Sequence, residues 1–310
     1  MRKYPGWNDS ISRFSGHGET PTLHPEETPS QAGGAAPSRP ASRSEGVATA
    51  RDGTRLAYTL HSREAAKSRV ALVHSLAMDR TFWDPVAEQL DASVLVYDCR
   101  GHGASEKPAG PYTVELFAHD LADVLDHVGW RSALVAGASM GGCITLAFAA
   151  AYPARTEAVG LIDTTAWYGA DAPKAWAERA EKALETGLGS LVGFQTTRWF
   201  GDSFRTQHPE VVKHCVDVFL RTDVKAYAET CKMLGGCDLR AALPAMRMPA
   251  AIVVGEEDYA TPIAMAQTLQ GGIANASMRI LPGARHLTPL EQPQTIAAEL
   301  SRLLQPGAVR

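Results

Sequence analysis

The chain has 310 residues, 45% of them hydrophobic and 21% charged, enough to bury a large core in one domain plus an insertion. Lys and Arg number 30 against 34 Asp and Glu, and a net charge of −4 without a basic block argues against nucleic acid as a partner. No apolar run reaches the roughly eighteen residues of a membrane span and no hydrophobic signal core opens the chain, so the sequence reads as cytoplasmic, with no membrane partner. Residues 1–45 are rich in Ser, Pro, Gly, Thr and Ala with isolated aromatics such as Trp7 and Phe14, a composition predicted to stay a disordered tail. Residues 47–50 and 55–60, around the turn Arg51-Asp52-Gly53, predict an antiparallel hairpin. Apolar runs at 70–73, 94–97, 133–136, 158–162, 250–254 and 278–281 then alternate with helix-like stretches, as in a mostly parallel sheet covered on both faces. Residues 166–243 interrupt that alternation with helical patterns at 172–186 and 210–220 and no convincing buried strand. They predict a helical cap, dividing an α/β core into 46–165 and 244–310. Cys99, Cys143, Cys215, Cys231 and Cys237 are odd in number and form no C-x-x-C pair, which predicts reduced, packing thiols and neither a disulfide framework nor a metal site.

Gly137-Ala138-Ser139-Met140-Gly141-Gly142 is the most informative stretch. It follows the run Ala133-Leu134-Val135-Ala136 and opens into a helix-like segment, so Ser139 is predicted on a sharp strand-to-helix corner, exposed at the end of its strand. The unpaired N–H groups of the following helix suit a developing oxyanion. A serine hydroxyl needs a histidine base, and the base needs an acid to fix its tautomer. His286 follows the predicted strand at 278–281, and Asp258 follows that at 250–254. Both therefore sit past the C-terminal end of a strand, where open parallel sheets place their sites. Glu256 and Glu257 compete for the acid role, and Asp163, after the strand at 158–162, is a further strand-end acid. His74 and His102 fall at a strand end and in a Gly-flanked turn and read as structural; His119 and His127 fall on a helix-like segment. A second oxyanion donor is expected from the loop after the strand at 70–73, which assigns the two N–H groups to Leu76 and Met140.

Together His74-Ser75-Leu76-Ala77-Met78-Asp79 with Trp83, Tyr97-Asp98-Cys99-Arg100-Gly101-His102-Gly103-Ala104-Ser105, Gly137-Ala138-Ser139-Met140-Gly141-Gly142 and Gly255-Glu256-Glu257-Asp258-Tyr259-Ala260-Thr261-Pro262 resemble the α/β-hydrolase fold. Within it they look like the 3-oxoadipate enol-lactonase branch. The cap is similar too, through Asp163-Thr164-Thr165-Ala166-Trp167, Trp176, Arg179 and Arg198-Trp199-Phe200. The family spacing favours Asp258 as the acid.

The resemblance implies an esterase or lactonase acting through an acyl-enzyme with Ser139, His286 and Asp258, on a small-molecule substrate, with no metal or organic cofactor. Its preferred substrate would be an enol-lactone bearing a carboxylate. A general carboxylesterase, aryl esterase or carbon–carbon bond hydrolase, or a ligand-binding protein of the same fold, remains open. In the cap, Trp167, Trp176, Trp199 and Phe200 are expected to line an apolar pocket, with Arg179, Arg198 or Arg205 holding a substrate carboxylate.

Overall fold

The computed structural model describes residues 42–63 and 66–305. The strands are β1 (Ser42–Thr49), β2 (Arg55–Ser62), β3 (Arg69–Val73), β4 (Ser93–Tyr97), β5 (Ala133–Ala138), β6 (Thr156–Ile162), β7 (Ala250–Gly255) and β8 (Ala276–Leu281), and β3 to β7 are short runs rich in Val, Leu, Ile and Ala. They make one eight-stranded sheet in the order β1-β2-β4-β3-β5-β6-β7-β8. The β1–β2 and β2–β4 pairs are antiparallel, and every later pair is parallel. All six residues of β5 are buried, as expected for a central strand covered on both faces.

Around the sheet lie α1 (Asp84–Ala87), α2 (Val114–His127), α3 (Met140–Ala151), α4 (Ala172–Thr186), α5 (Val192–Trp199), α6 (Asp202–Gln207), α7 (Pro209–Arg221), α8 (Val224–Gly235), α9 (Ile263–Gly272), α10 (Thr288–Glu291) and α11 (Pro293–Leu303). α3 packs on β3, β5 and β6, α9 on β7 and β8, and α11 on β6 and β7. α3 carries ten buried residues and is apolar all round, because it lies between the sheet and other elements. Among the described residues no helix is long and apolar enough to cross a membrane.

Helices α4 to α8 all fall between β6 and β7. The neck of this insert is closed by an antiparallel bridge between Trp167 and Asp238, with the Leu239 N–H donating to the Ala166 carbonyl at 2.8 Å. The boundary of the expected tail departs from expectation: β1 spans Ser42–Thr49, so residues 42–45 are strand rather than tail, while residues 1–41 of the expected tail lie outside the described residues. Residues 42–45 are exposed and lack an apolar alternation; their pairing with Leu60, His61, Ser62 and Thr59 is a backbone matter that side-chain pattern does not register.

Candidate active site

β5 ends at Ala138 and α3 begins at Met140, leaving Ser139 alone to turn the chain, at φ 54° and ψ −116°. A non-glycine residue there costs on the order of 1–3 kcal/mol, held by its surroundings. The Ser139 N–H donates to the Ile162 carbonyl at 2.9 Å, and the Ser139 carbonyl accepts from Thr164 Oγ1 at 2.7 Å and the Gly142 N–H at 2.9 Å. The small neighbours are sterically required. A Cβ on Gly137 would strike the Gly141 carbonyl, one on Gly141 the Val73 carbonyl, and one on Gly142 the Thr164 side chain.

His286 Nε2 lies 2.9 Å from Ser139 Oγ and its Nδ1 lies 2.8 Å from Asp258 Oδ2. The carboxylate fixes the tautomer: Nδ1–H donates to Asp258, leaving Nε2 to accept the serine proton. Asp258 is itself fully engaged. Its Oδ1 accepts from the Ala260 and Thr261 N–H groups at 2.7 and 3.0 Å, and its Oδ2 from Thr261 Oγ1 at 2.8 Å. Burial pushes this carboxyl up, but His286 beside it and the Thr261 donors outweigh burial and hold it below the ordinary aspartate range. The histidine loop is pinned to the insert, since the His286 and Leu287 N–H groups both donate to the Trp199 carbonyl, at 3.2 and 3.0 Å.

The rival acids are spent elsewhere. Glu256 accepts from the Gly283 N–H at 3.0 Å, and Glu257 pairs with Arg285 at 3.2 Å. Asp163, at φ 47°, accepts from the Gly255 N–H at 3.1 Å with one oxygen and from the Thr288 N–H and Oγ1 at 3.0 and 2.6 Å with the other. Burial first, then the neighbouring Asp258, pushes the Asp163 carboxyl well above its usual value. It ties the exit of β7 to the start of α10.

On the other side of β5, Leu76 follows β3 and lines the same cavity as Ser139 and His286. Its loop is a tight turn, with the Met78 N–H donating to the Ser75 carbonyl at 3.1 Å and Ala77 at φ 57°. His74 anchors it: the Cys99 N–H donates to Nε2 at 3.0 Å, so Nδ1 carries the proton and donates to the Ser75 carbonyl at 2.8 Å. Met140 is the first residue of α3, a position whose N–H has no partner within its own helix. His74 and His102 are wholly buried with ring centroids 5.1 Å apart. Burial lowers both, His74 to about 4 and, with His74 beside it, His102 to about 3, so both stay neutral.

The insert closes the cavity from above. Ser139 is only 6% exposed, which corrects the expectation of an open serine: the strand end is covered. Trp176, Arg198 and Trp199 line the cavity, as does Arg179. Trp167 does not. Its bridge to Asp238 turns it outward, where the Arg240 guanidinium covers its ring at 3.7 Å. The next residue, Tyr168, lines the cavity instead, and so does Gln195; sequence reasoning singled out neither. Phe200 stacks on Phe204 at 5.1 Å, and Arg205 pairs with Asp202 at 2.6 Å, both away from Ser139.

The two cavity arginines stand out electrostatically. Arg179 Nε donates to the Tyr227 hydroxyl at 2.6 Å, and its guanidinium lies over Trp176 at 4.9 Å. Arg198 lies over Phe194 and Tyr259 at 4.9 and 5.8 Å. Neither forms an ion pair with a carboxylate among the described residues. Burial first, then the Arg179 charge, lowers Arg198 to about 10.

Comparison with known proteins agrees with this architecture. 3-Oxoadipate enol-lactonase 2 of Acinetobacter baylyi is 33% identical over 201 residues, 65% of this chain and 74% of that protein. Among solved structures, the enol-lactonase from Burkholderia xenovorans superposes with a TM-score of 0.80 at 33% identity, covering 84% of this chain and 99% of that one. A thermophilic esterase from Thermogutta terrifontis gives a TM-score of 0.77 at 29% identity, with 85% and 98% covered. The model of the alpha/beta hydrolase family matches residues 70–299, and with that match, the sheet order and the relatives in hand, the chain belongs to the α/β-hydrolase family, in its enol-lactonase-like branch.

Proposed function

We propose that this hydrolase opens a carboxylated enol-lactone through an acyl-enzyme on Ser139. His286 takes the serine proton as Ser139 Oγ attacks the lactone carbonyl, and Asp258 stabilises the imidazolium that forms. The Leu76 and Met140 N–H groups hold the oxyanion. The ring C–O bond breaks, His286 returns the proton to the ring oxygen, and the released enol collapses to a ketone. A water activated by His286 then frees the acid. The insert serves as a cap, excluding bulk water and strengthening each electrostatic contact.

The observation that carries the substrate class is the pair Arg179 and Arg198, two guanidinium groups in the Ser139 cavity without a carboxylate partner among the described residues. A buried cation without a counter-ion is costly, and a substrate carboxylate relieves that cost on binding. The names of the Acinetobacter and Burkholderia relatives favour the same reading. Steady-state kinetics on a carboxylated enol-lactone and on the corresponding lactone methyl ester tests it. The acid is expected to exceed the methyl ester in kcat/KM by about tenfold or more, the worth of one charge-assisted hydrogen bond. Equal rates would leave a general esterase, the reading to which the Thermogutta relative's name points. Binding with a stalled single turnover would leave a ligand-binding protein.

A further inference from the structure

We propose that Gln195 binds the substrate carboxylate together with Arg198, its amide Nε2–H donating to a carboxylate oxygen; the inference rests on the carboxylated-lactone reading above. Gln195 lies on α5 and lines the Ser139 cavity, only 3% exposed. Its amide forms no hydrogen bond among the described residues. Neither polar atom is sealed in the packing, as His61 Nε2 and Trp83 Nε1 are, so the amide opens on the cavity. The next two polar side chains of α5 behave differently, since the Thr196 and Thr197 hydroxyls turn back to donate to the Gly193 carbonyl at 3.3 and 3.4 Å. A buried amide without a partner is a cost that packing does not explain, because an apolar side chain of the same length would fill the space without it.

The helix sets what the amide meets. Gln195 and Arg198 are three residues apart, so they share one face of α5, and both line the cavity. The Arg198 guanidinium offers only donors and forms no ion pair with a carboxylate among the described residues. A carboxylate that lands on it comes within reach of the Gln195 amide, with lone pairs to spare for a further N–H. The neutrality of the amide matters here. A glutamate at this position would pair with Arg198 across the same turn and occupy the guanidinium before substrate arrived, and a lysine would add a third cation beside Arg179 and Arg198. Glutamine supplies a donor and leaves the charge balance untouched. The Trp199 carbonyl, one residue beyond Arg198, accepts from the His286 and Leu287 N–H groups at 3.2 and 3.0 Å. A carboxylate held by Gln195 and Arg198 is thereby placed relative to His286 as well.

The test is Gln195→Met on the full chain, with kcat and KM measured on a carboxylated enol-lactone and on the corresponding lactone methyl ester. The ratio of kcat/KM for acid over ester is expected to fall about fivefold to tenfold below the wild-type ratio, with the loss carried by KM for the acid. Equal losses on the two substrates, or no loss, overturn the proposal, because a residue needed only for packing moves both alike. Gln195→Glu keeps the size of the side chain and repeats the test should Gln195→Met fail to fold. It is expected to bring the ratio down to about one or below, since its carboxylate takes Arg198 and repels that of the substrate; a ratio as high as the wild type's overturns the proposal. The wild-type ratio separates the two readings. If it favours the acid by about tenfold or more, the variants alone decide on Gln195; a wild type that favours neither substrate overturns the carboxylate reading, and the role of Gln195 with it.

Discussion

Removing Arg198, which forms no ion pair with a carboxylate among the described residues, is expected to weaken recognition and strengthen the fold at once. Arg198 is lowered to about 10 by burial and by the Arg179 charge, which is equivalent to about 3 kcal/mol against its charged form. At neutral pH it remains charged, so the free protein carries that cost. Arg198→Met keeps the apolar stem and removes the charge, at the expense of the contacts over Phe194 and Tyr259, about 0.5–1 kcal/mol each. The balance is a gain of about 1–2 kcal/mol, or a melting temperature higher by roughly 2–6 °C in a chain of this size. On the carboxylated lactone the same variant should lose about tenfold to a hundredfold in kcat/KM, mainly through KM, while a neutral ester changes by less than about threefold. Thermal melts and kinetics on both substrates at fixed salt give the answer. A variant that melts lower and keeps its preference for the carboxylate would refute the reasoning, because Arg198 would then be a structural cation and not a charge held for substrate.

Asp258→Asn should cut kcat by roughly 10³ to 10⁴, since the amide favours the wrong histidine tautomer, whereas Asp163→Asn should cost about 1–3 kcal/mol of stability and less than about tenfold in kcat; kinetics and denaturant melts of the pair separate the two carboxyls, and a crippled Asp163→Asn would exchange their roles. His74 and His102 are lowered in the fold to about 4 and about 3, below the roughly 6.5 of an unfolded histidine, so the unfolded chain takes up protons first as pH falls. Stability should therefore be complete above about pH 6.5 and decline as pH falls toward 4 and 3, by about 2–3 kcal/mol per histidine at pH 4.5; urea melts at pH 7 and 4.5 check this, with a shallower decline in His74→Gln. Gly141→Ala places a methyl against the Val73 carbonyl, a backbone atom that cannot swing away, and is expected to lower the melting temperature by several degrees and to abolish most activity by shifting Ser139.

The juxtaposition of the candidate residues was legible in the sequence wherever they sat at the end of an apolar run. Ser139, Asp258 and His286 each follow a buried strand, and a parallel sheet brings such ends together whatever lies between them in the chain. The preference for Asp258 over Asp163 came from the family spacing, because strand-end position alone does not separate two aspartates; in the structure the Asp163 oxygens are occupied by Gly255 and Thr288. Trp167 and Tyr168 show where pattern runs out. They are adjacent aromatics in an irregular segment, and only the bridge to Asp238 decides which faces the cavity. Gln195 on α5 was hidden for a related reason, since a polar residue on a helix declares an inward face only once the helix is docked.

The claim on which everything else rests is that Ser139 is the nucleophile. Intact-protein mass spectrometry after treatment with a fluorophosphonate tests it most directly, in the wild type, in Ser139→Ala and in His286→Ala. One equivalent is expected on the wild type, mapped to Ser139, with none on Ser139→Ala and greatly slowed labelling of His286→Ala. Labelling at another residue, or a Ser139→Ala protein that still turns over the lactone at the wild-type rate, would contradict the account.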